Sequence, residues 1–529
     1  MRHMQRLALP YLATGQFKPI VLDYLQDEPK VHPFRVWPFN RAASEKALTA
    51  RHFDPGKRTI VIAAIRRQYD GLSIPPQVEE HLQRLAEPDT YTVTTGHQLC
   101  LFGGPLFVLF KILNTVRLAR ELSTPQRTVV PVFWMASEDH DLAEVDHVFL
   151  RGTLIHWPAG TTGAVGRIPL SMIDEVVSRA IALLGDGSGA AEIAGILRSA
   201  YQDGKTLAQA TRIFIDGLFG RFGVVVVDGD DPTLKRLFAP LMQEELLNEV
   251  VARSVHYAEQ QMPVEYAPQA HAREVNLFHL SPGRRARLVR EGDGFRAMDG
   301  GPAFSTQELL DHLERSPEAF SPNVLLRPLY QESVLPNTAY VGGGGEVAYW
   351  LQLRWLFQAF QVPMPVVCLR TSALFLQAGT EERIKALGLD VEDLFRPTPV
   401  VDKKVALALA SFPTSLENER TALERFYQHI ADRATQAGPT FQRSVMSART
   451  RAAHGLDHLE QRLIGTAKKE QSVALGRYHK LREGIFPGGV LQERHDGFLT
   501  LLADHGTGVM DELIEALDPF EKKFSVFVG

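Results

Sequence analysis

The sequence contains only two cysteines, Cys100 and Cys368, far apart and in no CxxC pair. A cysteine-built zinc site and a disulfide framework are therefore not expected. No apolar run approaches the ~20 residues that span a bilayer. The N-terminus, MRHMQRLALPYLATGQ, has only a brief apolar stretch broken by Pro10, so no secretory signal is expected either. Charge of one sign is also scarce. The net value is −5, which gives no electrostatic reason to expect nucleic acid or an anionic membrane as partner. Local basic clusters such as Arg284-Arg285-Ala286-Arg287 are short and read as solvated loops. Neither GxxxxGK[ST] nor GxGxxG occurs, so the common phosphate-loop and dinucleotide fingerprints are missing. These absences point to a cytoplasmic protein with no structural metal.

What is present is a chain of 529 residues, 45% hydrophobic and 22% charged, too long for one core and ordinary for a globular protein. Short apolar runs alternate with helical patterns. Tyr91–Thr95, Pro131–Ala136, the Gly223–Asp228 valine run, Val324–Leu326 and Val366–Leu369 read as buried strands. The segment after Gly103-Gly104-Pro105 reads as a helix with a broad apolar face. Strands that are apolar on both faces, separated by helices, predict a parallel sheet with helices on each side: a doubly wound, Rossmann-like core. The pattern divides the chain into a first core part over 1–155, a helical insertion over 156–210, core again over 211–261, a hairpin-rich insertion over 262–320 and the second core half over 321–375. From 376 to 484 strand signals vanish. Leu416, Leu423, Phe426 and Ile430, then Val445, Ala448, Ala452, Leu456, Leu459 and Leu463, recur at helical spacing on either side of Gly438-Pro439. That is the pattern of an antiparallel coiled-coil hairpin. Its seam is poor in leucine, so a second copy of the chain is expected to help bury it. Residues 485–529 read as a tail docking on the core or the coiled coil.

The chemistry concentrates where strands should end. Thr95-Gly96-His97-Gln98 follows the first strand, with Gly104 in the turn beyond; Glu138-Asp139-His140-Asp141 follows the second; Asp228 closes the valine strand. In open α/β sheets the carboxyl ends of the strands are the ligand-binding edge. Gly342-Gly343-Gly344-Gly345-Glu346 adds backbone that a ligand can approach closely, with N–H groups able to nest an anion where a helix begins. Each feature also has a plainer reading. The acidic cluster equally describes a helix N-cap, or a divalent-metal site, although His140 and His147 lack the i, i+4 spacing of helical ligands. The glycines equally describe a flexible turn. Gly488-Gly489 is either a second anion site or a chain turn. A ligase, a metal-dependent hydrolase or transferase, and a ligand-binding coiled-coil partner without catalysis all remain open at this level.

Four blocks narrow the choice: TTGHQLCLFGGPLFVLFK, VVPVFWMASEDHDLAEVDHV, SPNVLLRPLYQESVLPNTAYVGGGGEVAYWLQL and FPGGVLQER. In this order they resemble the BshC family, cysteine ligases of bacillithiol biosynthesis, over essentially the whole chain. The resemblance implies a nucleotidyltransferase-type Rossmann core with two connecting-peptide insertions and a coiled coil that forms a homodimer. It also implies a reaction in which cysteine is joined through its carboxyl group to the amino group of glucosaminyl-malate.

A carboxylate does not acylate an amine unless its oxygen is first made a leaving group, so the reaction implies a nucleotide, ATP with Mg²⁺. In that scheme His97 lines the phosphates and the Gly342–Gly345 backbone donates to them. Asp139 and Asp141 bind an ammonium, Glu138 or His140 takes the proton of the attacking amine, and Arg327 and Gln331 contact the malate carboxylates. Thr95, Gly96, Gln98, Gly104, Asp228 and Glu346 complete the expected binding surface. The HxGH and KMSKS signatures of adenylating synthetases are not found; Gly96-His97-Gln98 stands in place of the first.

Overall fold

The computed structural model describes residues 4–529, apart from the side chains at 435 and 436. Five strands form one parallel sheet: β1 (Thr90–His97), β2 (Thr128–Met135), β3 (Val225–Asp228), β4 (Asn337–Gly342) and β5 (Val366–Leu369). Their order across the sheet is β5-β4-β1-β2-β3. The chain winds outward from β1 in one direction to β3, then returns to build β4 and β5 on the other side. The topological switch point therefore lies between β1 and β4, the position at which doubly wound sheets bind ligands. Register aligns the strand ends: His97 is level with Met135, Met135 with Asp228, and Gly342 with Leu369.

The fourth strand is not where the apolar run Val324–Leu326 placed it. The Asn323 side chain accepts from the N–H groups of Leu325 and Leu326, both at 3.0 Å. The run thereby becomes the turn that opens helix α2 (Arg327–Val334), which has Pro328 in its first turn. Local side-chain capping outweighs strand propensity there. The strand is instead Asn337–Gly342, whose polar start is paired inside the sheet: Thr92 and Thr94 donate their hydroxyls to Asn337 Oδ1 at 3.1 and 2.9 Å.

Two long segments interrupt the sheet. The one between β2 and β3 carries a short hairpin, His147–Leu150 with Thr153–His156, and then helices. The one between β3 and β4 carries a five-stranded antiparallel sheet built from Leu277–Ser281, Arg284–Glu291, Gly294–Ala297, Ala303–Ser305 and Phe320–Pro322. The Arg284–Arg287 cluster is thus a strand, not a loop. Helix α1 (Leu106–Leu122) is buried on nearly all sides. It packs against β1, β2 and the helix Val509–Ala516, and an all-round apolar helix needs such cover. Gly103 precedes it with φ 83°, and a side chain there would strike Phe498 and Phe214.

By contacts the chain forms two units. The sheet and its insertions belong to Gln16–Ala373 together with Glu493–Ser525. The other unit contains Leu374–Gln492. In it, helices α4 (Glu417–Ala437) and α5 (Pro439–Glu470) lie antiparallel, joined by Gly438 at φ 94° with Pro439 opening the second helix. Arg420 bridges to Asp457 at 2.8 Å and to Glu460 at 3.4 Å, and Arg449 pairs with Glu424. The apolar seam is only partly covered within one chain: Val445 is buried, whereas Phe426 and Leu459 remain 60% and 51% exposed. Among the described residues no helix is long and apolar enough to cross a membrane.

Candidate active site

A cleft of about 550 Å³ opens at the switch point. It gathers Gly96, His97 and Gln98 from the end of β1, Glu138 and Asp139 beyond β2, Arg327 from α2, and Gly343, Gly345 and Glu346 after β4. Segments some 250 residues apart in sequence meet because register places all these strand ends at one edge of the sheet.

The electrostatic centre is an ion pair that spans the switch point. Lys111, in the middle of α1, is 2% exposed. Its ammonium lies 2.6 Å from Glu346 Oε2 and donates to the Gly96 carbonyl at 2.6 Å. Glu346 also accepts from the Tyr340 hydroxyl at 2.5 Å and from the Gly343 N–H at 2.8 Å. Burial would push this carboxyl up, but Lys111 and the two hydrogen bonds outweigh it and hold it down at about 2. The glycine run therefore nests its own carboxylate: the Gly343 N–H is committed to Glu346, as in a capping box. None of Gly342 to Gly345 has a positive φ. At Gly342 a side chain would come within 2.9 Å of Glu346 Cβ, so glycine is needed there for close packing, not for flexibility. Gly342 and Gly344 do not line the cleft.

His97 stands with its ring edge on Phe107 and its Nε2 3.6 Å from Cys100 Sγ. Burial, reinforced by Lys111, drives its pKa down to about 3. It meets a ligand as a neutral imidazole. The adjacent carboxylates differ sharply. Burial pushes Glu138 up against the pull of Lys235, whose ammonium is 2.7 Å away. Burial acts on Asp139 too, but there it is outweighed by the Gln98 amide at 2.8 Å, then by Arg285 and backbone N–H groups, and the carboxyl sits below its ordinary range.

Other residues singled out from the sequence lie elsewhere. Thr95 is buried and donates to the Val341 carbonyl at 2.8 Å, tying β1 to β4. Gly104 shapes the turn before α1, where a side chain would meet Cys100 Cβ at 2.7 Å. Gln331 is buried behind Arg327, accepting from it at 3.1 Å. Asp141 is exposed ahead of a short helix. His140 lies beside the cleft; Arg285 donates to its Nδ1 at 2.9 Å. Asp228 accepts from the Ser137 hydroxyl and lines a separate cavity of about 450 Å³ with Arg167 and Arg212. Gly488 and Gly489 belong to the other unit, in a turn whose Gly488 N–H donates to Glu483 at 3.1 Å. Among the described residues no three His, Cys, Asp or Glu side chains converge as a metal site.

The N-terminal 4–371 matches the family model "Bacillithiol biosynthesis BshC, N-terminal Rossmann-like domain", and 373–528 matches "Bacillithiol biosynthesis BshC, C-terminal coiled-coil domain". The chain belongs to the BshC family. Relatives in Flavobacterium johnsoniae and Koribacter versatilis, each named "Putative cysteine ligase BshC", are 33% and 32% identical to it. The first alignment covers 98% of both chains, the second 96% of this chain and 97% of the relative.

The BshC cleft also contains four cations that the sequence did not place there. Lys111 had a signal: a lone lysine inside the apolar run FVLFKILNTV must find a buried partner. Arg370 follows the last strand directly and forms a buried pair with Glu493, at 2.9 and 2.8 Å. Arg494 sits over Phe107 with no carboxylate in ion-pair range among the described residues. Arg285 comes from the antiparallel insertion, a placement the sequence could not reveal. With Arg327, which hydrogen-bonds Gln331 and Tyr349, five cations and three carboxylates line the cleft among the described residues, and Arg327 forms no ion pair among them. The cleft thus carries more cations than carboxylates along its wall, with one aspartate, Asp139, held below its ordinary range.

Proposed function

We propose that this chain is the cysteine-adding ligase of bacillithiol biosynthesis, joining the cysteine carboxyl group to the amino group of glucosaminyl-malate at the expense of ATP with Mg²⁺. The observation that carries the reading is the excess of cations in one cleft at the switch point. Every reactant the reaction needs is anionic or carries an ammonium. Arg327 and Arg494 suit carboxylate or phosphate oxygens, since guanidinium binds both through paired N–H donors. His97, being neutral, serves as a hydrogen-bond donor and not as a charge. Asp139 holds a substrate ammonium. Glu138, raised by burial, takes the proton that the attacking amine must lose. Adjacent carboxyl groups whose surroundings drive their pKa values apart are a recognisable acid–base arrangement. In the balance of the step, the cysteine carboxylate oxygen leaves with a phosphoryl-bearing group, a carbon–nitrogen bond forms, and one proton leaves the amine. Mg²⁺ would enter with the nucleotide phosphates, because the cleft carboxylates already have partners. The half-exposed seam of α4 and α5 supports a homodimer through the coiled coil.

The test is incubation of the pure protein with cysteine, glucosaminyl-malate and Mg-ATP, with and without the nucleotide, followed by mass spectrometry. A thiol product that depends on ATP is expected. Absence of product while both substrates bind by calorimetry would overturn the reading.

A further inference from the structure

Beside the cleft lies a second concavity of about 430 Å³, walled by Arg273, Arg285, Arg287, His140, His271 and Asp299. It shares Phe278, Arg285 and Asn323 with the main cleft, so one extended ligand can occupy both. Its basic wall has a simple origin. Arg285 and Arg287 are two apart on the strand Arg284–Glu291, and alternation points them to the same face. The pairing Phe278↔Arg287 sets Phe278 on that face as well. The opposite face carries Ala286 and Leu288 into the core of the insertion.

Arg285 is held firmly. Its guanidinium stacks 3.8 Å from the Phe278 ring and donates to Ser321 Oγ at 3.2 Å, the Pro322 carbonyl at 3.0 Å and His140 Nδ1 at 2.9 Å. All three acceptors are uncharged; the closest carboxylate, Asp139, is 3.9 Å away. Because Arg285 has only donors, His140 Nδ1 accepts, and its other ring nitrogen carries the N–H. Arg273 and Arg287 have no ion pair among the described residues. Among the described residues the pocket wall thus carries three guanidiniums and one carboxylate, Asp299; Arg285 is shared with Asp139 of the main cleft, and Arg273 and Arg287 are left uncompensated. Uncompensated guanidinium in such a setting selects oxyanions.

We infer that this arginine pocket is an oxyanion subsite, taking a carboxylate or phosphate group of a ligand whose other end lies in the main cleft. The inference concerns anion binding alone and does not require the ligase reading. Two sources share the chemistry, an acid tail and a polyphosphate, and the experiment separates them. L-malate and inorganic pyrophosphate are titrated calorimetrically at low salt into the wild type, the double variant Arg273→Ala/Arg287→Ala, and Arg327→Ala, which perturbs only the main cleft. The double variant is expected to bind at least one of the two anions tenfold or more weakly, and the anion affected identifies the source. Arg273 is exposed and Arg287 partly so, which favours a folded variant. Circular dichroism checks this, and the single variant Arg273→Gln provides the same comparison if the double variant is unstable. Binding of neither anion to the wild type, or unchanged affinity for both in a folded variant, would overturn the subsite.

Discussion

Lys111 reaches across the switch point to Glu346, closing an ion pair at 2.6 Å, buried at its lysine end, between the helix after β1 and the helix α3 (Gly344–Gln352) after β4. The two halves of the sheet are thereby clamped where the ligand edge divides. Breaking one side of such a pair leaves an isolated buried charge, which costs on the order of 3–5 kcal/mol. Glu346→Gln, which strands the buried ammonium, is expected to lower stability by about that much, and Lys111→Met, which strands a carboxylate on the cleft wall, by less. The double variant should be markedly less destabilised than the sum, since neither charge remains stranded. Urea unfolding of all four proteins measures the coupling. Additive losses would mean that the pair does not organise the site.

Glu138 and Asp139 should fail in different ways. Burial raises Glu138, so as a base it works only once deprotonated, and the rate should climb with pH through its raised pKa before levelling. Glu138→Gln is expected to lower kcat a hundredfold or more, within the range for loss of a general base, and to flatten that acid limb. Asp139 is held below the ordinary carboxylate range because the Gln98 and Arg285 contacts outweigh its burial. Asp139→Asn should mainly raise KM for the substrate whose ammonium it holds. Steady-state profiles from pH 5 to 9 distinguish the two, and identical behaviour would remove the division of labour.

The parallel core was legible because its strands are buried on both faces, so β2, β3 and β5 read as continuous apolar runs and β1 as a β-branched run ending at Gly96. β4 was hidden because Asn337 and Thr338 open it, and their partners are Thr92 and Thr94, distant in sequence, and Glu332 on the preceding helix. The address of the site followed from strand ends, which brought His97, Asp139 and Gly343 to notice. Its charge balance did not follow. Arg285 enters from an antiparallel insertion and Arg494 from beyond the coiled coil, and only the fold sets them opposite β1. Conversely, Thr95 and Gln331 carried polar side chains that the interior uses for itself. Composition alone cannot tell a buried hydroxyl that ties two strands from one that awaits a ligand.

Phe426 and Leu459 leave large apolar surface in solvent on α4 and α5. A second copy covering this seam would remove it from water at roughly 25 cal/mol per Å². The wild type is therefore expected to run as a dimer in light scattering coupled to size exclusion. Phe426→Glu/Leu459→Glu should shift it to monomer with the helix content retained. A monomeric wild type, or a charged variant that stays dimeric, would discard the seam as an interface.

Glu332 allows a pH test of the core that is independent of catalysis. It is buried beside β4, where its Oε1 accepts from Gln331 at 2.7 Å and from Asn337 at 2.8 Å, while its Oε2 has no hydrogen-bond partner among the described residues. Burial, only partly offset by Arg51, raises its pKa from 4.5 to about 7. The folded state then binds a proton that the unfolded chain has already released between those values. Linkage makes its contribution fullest below about pH 4.5 and erodes it as pH rises through about 7. The shift corresponds to on the order of 3 kcal/mol. Glu332→Gln keeps the accepting oxygen but cannot ionise. It should melt close to the wild type at pH 5 and clearly above it at pH 8.5. A gap that stays constant between the two pH values would mean that Glu332 ionises as readily in the core as in water.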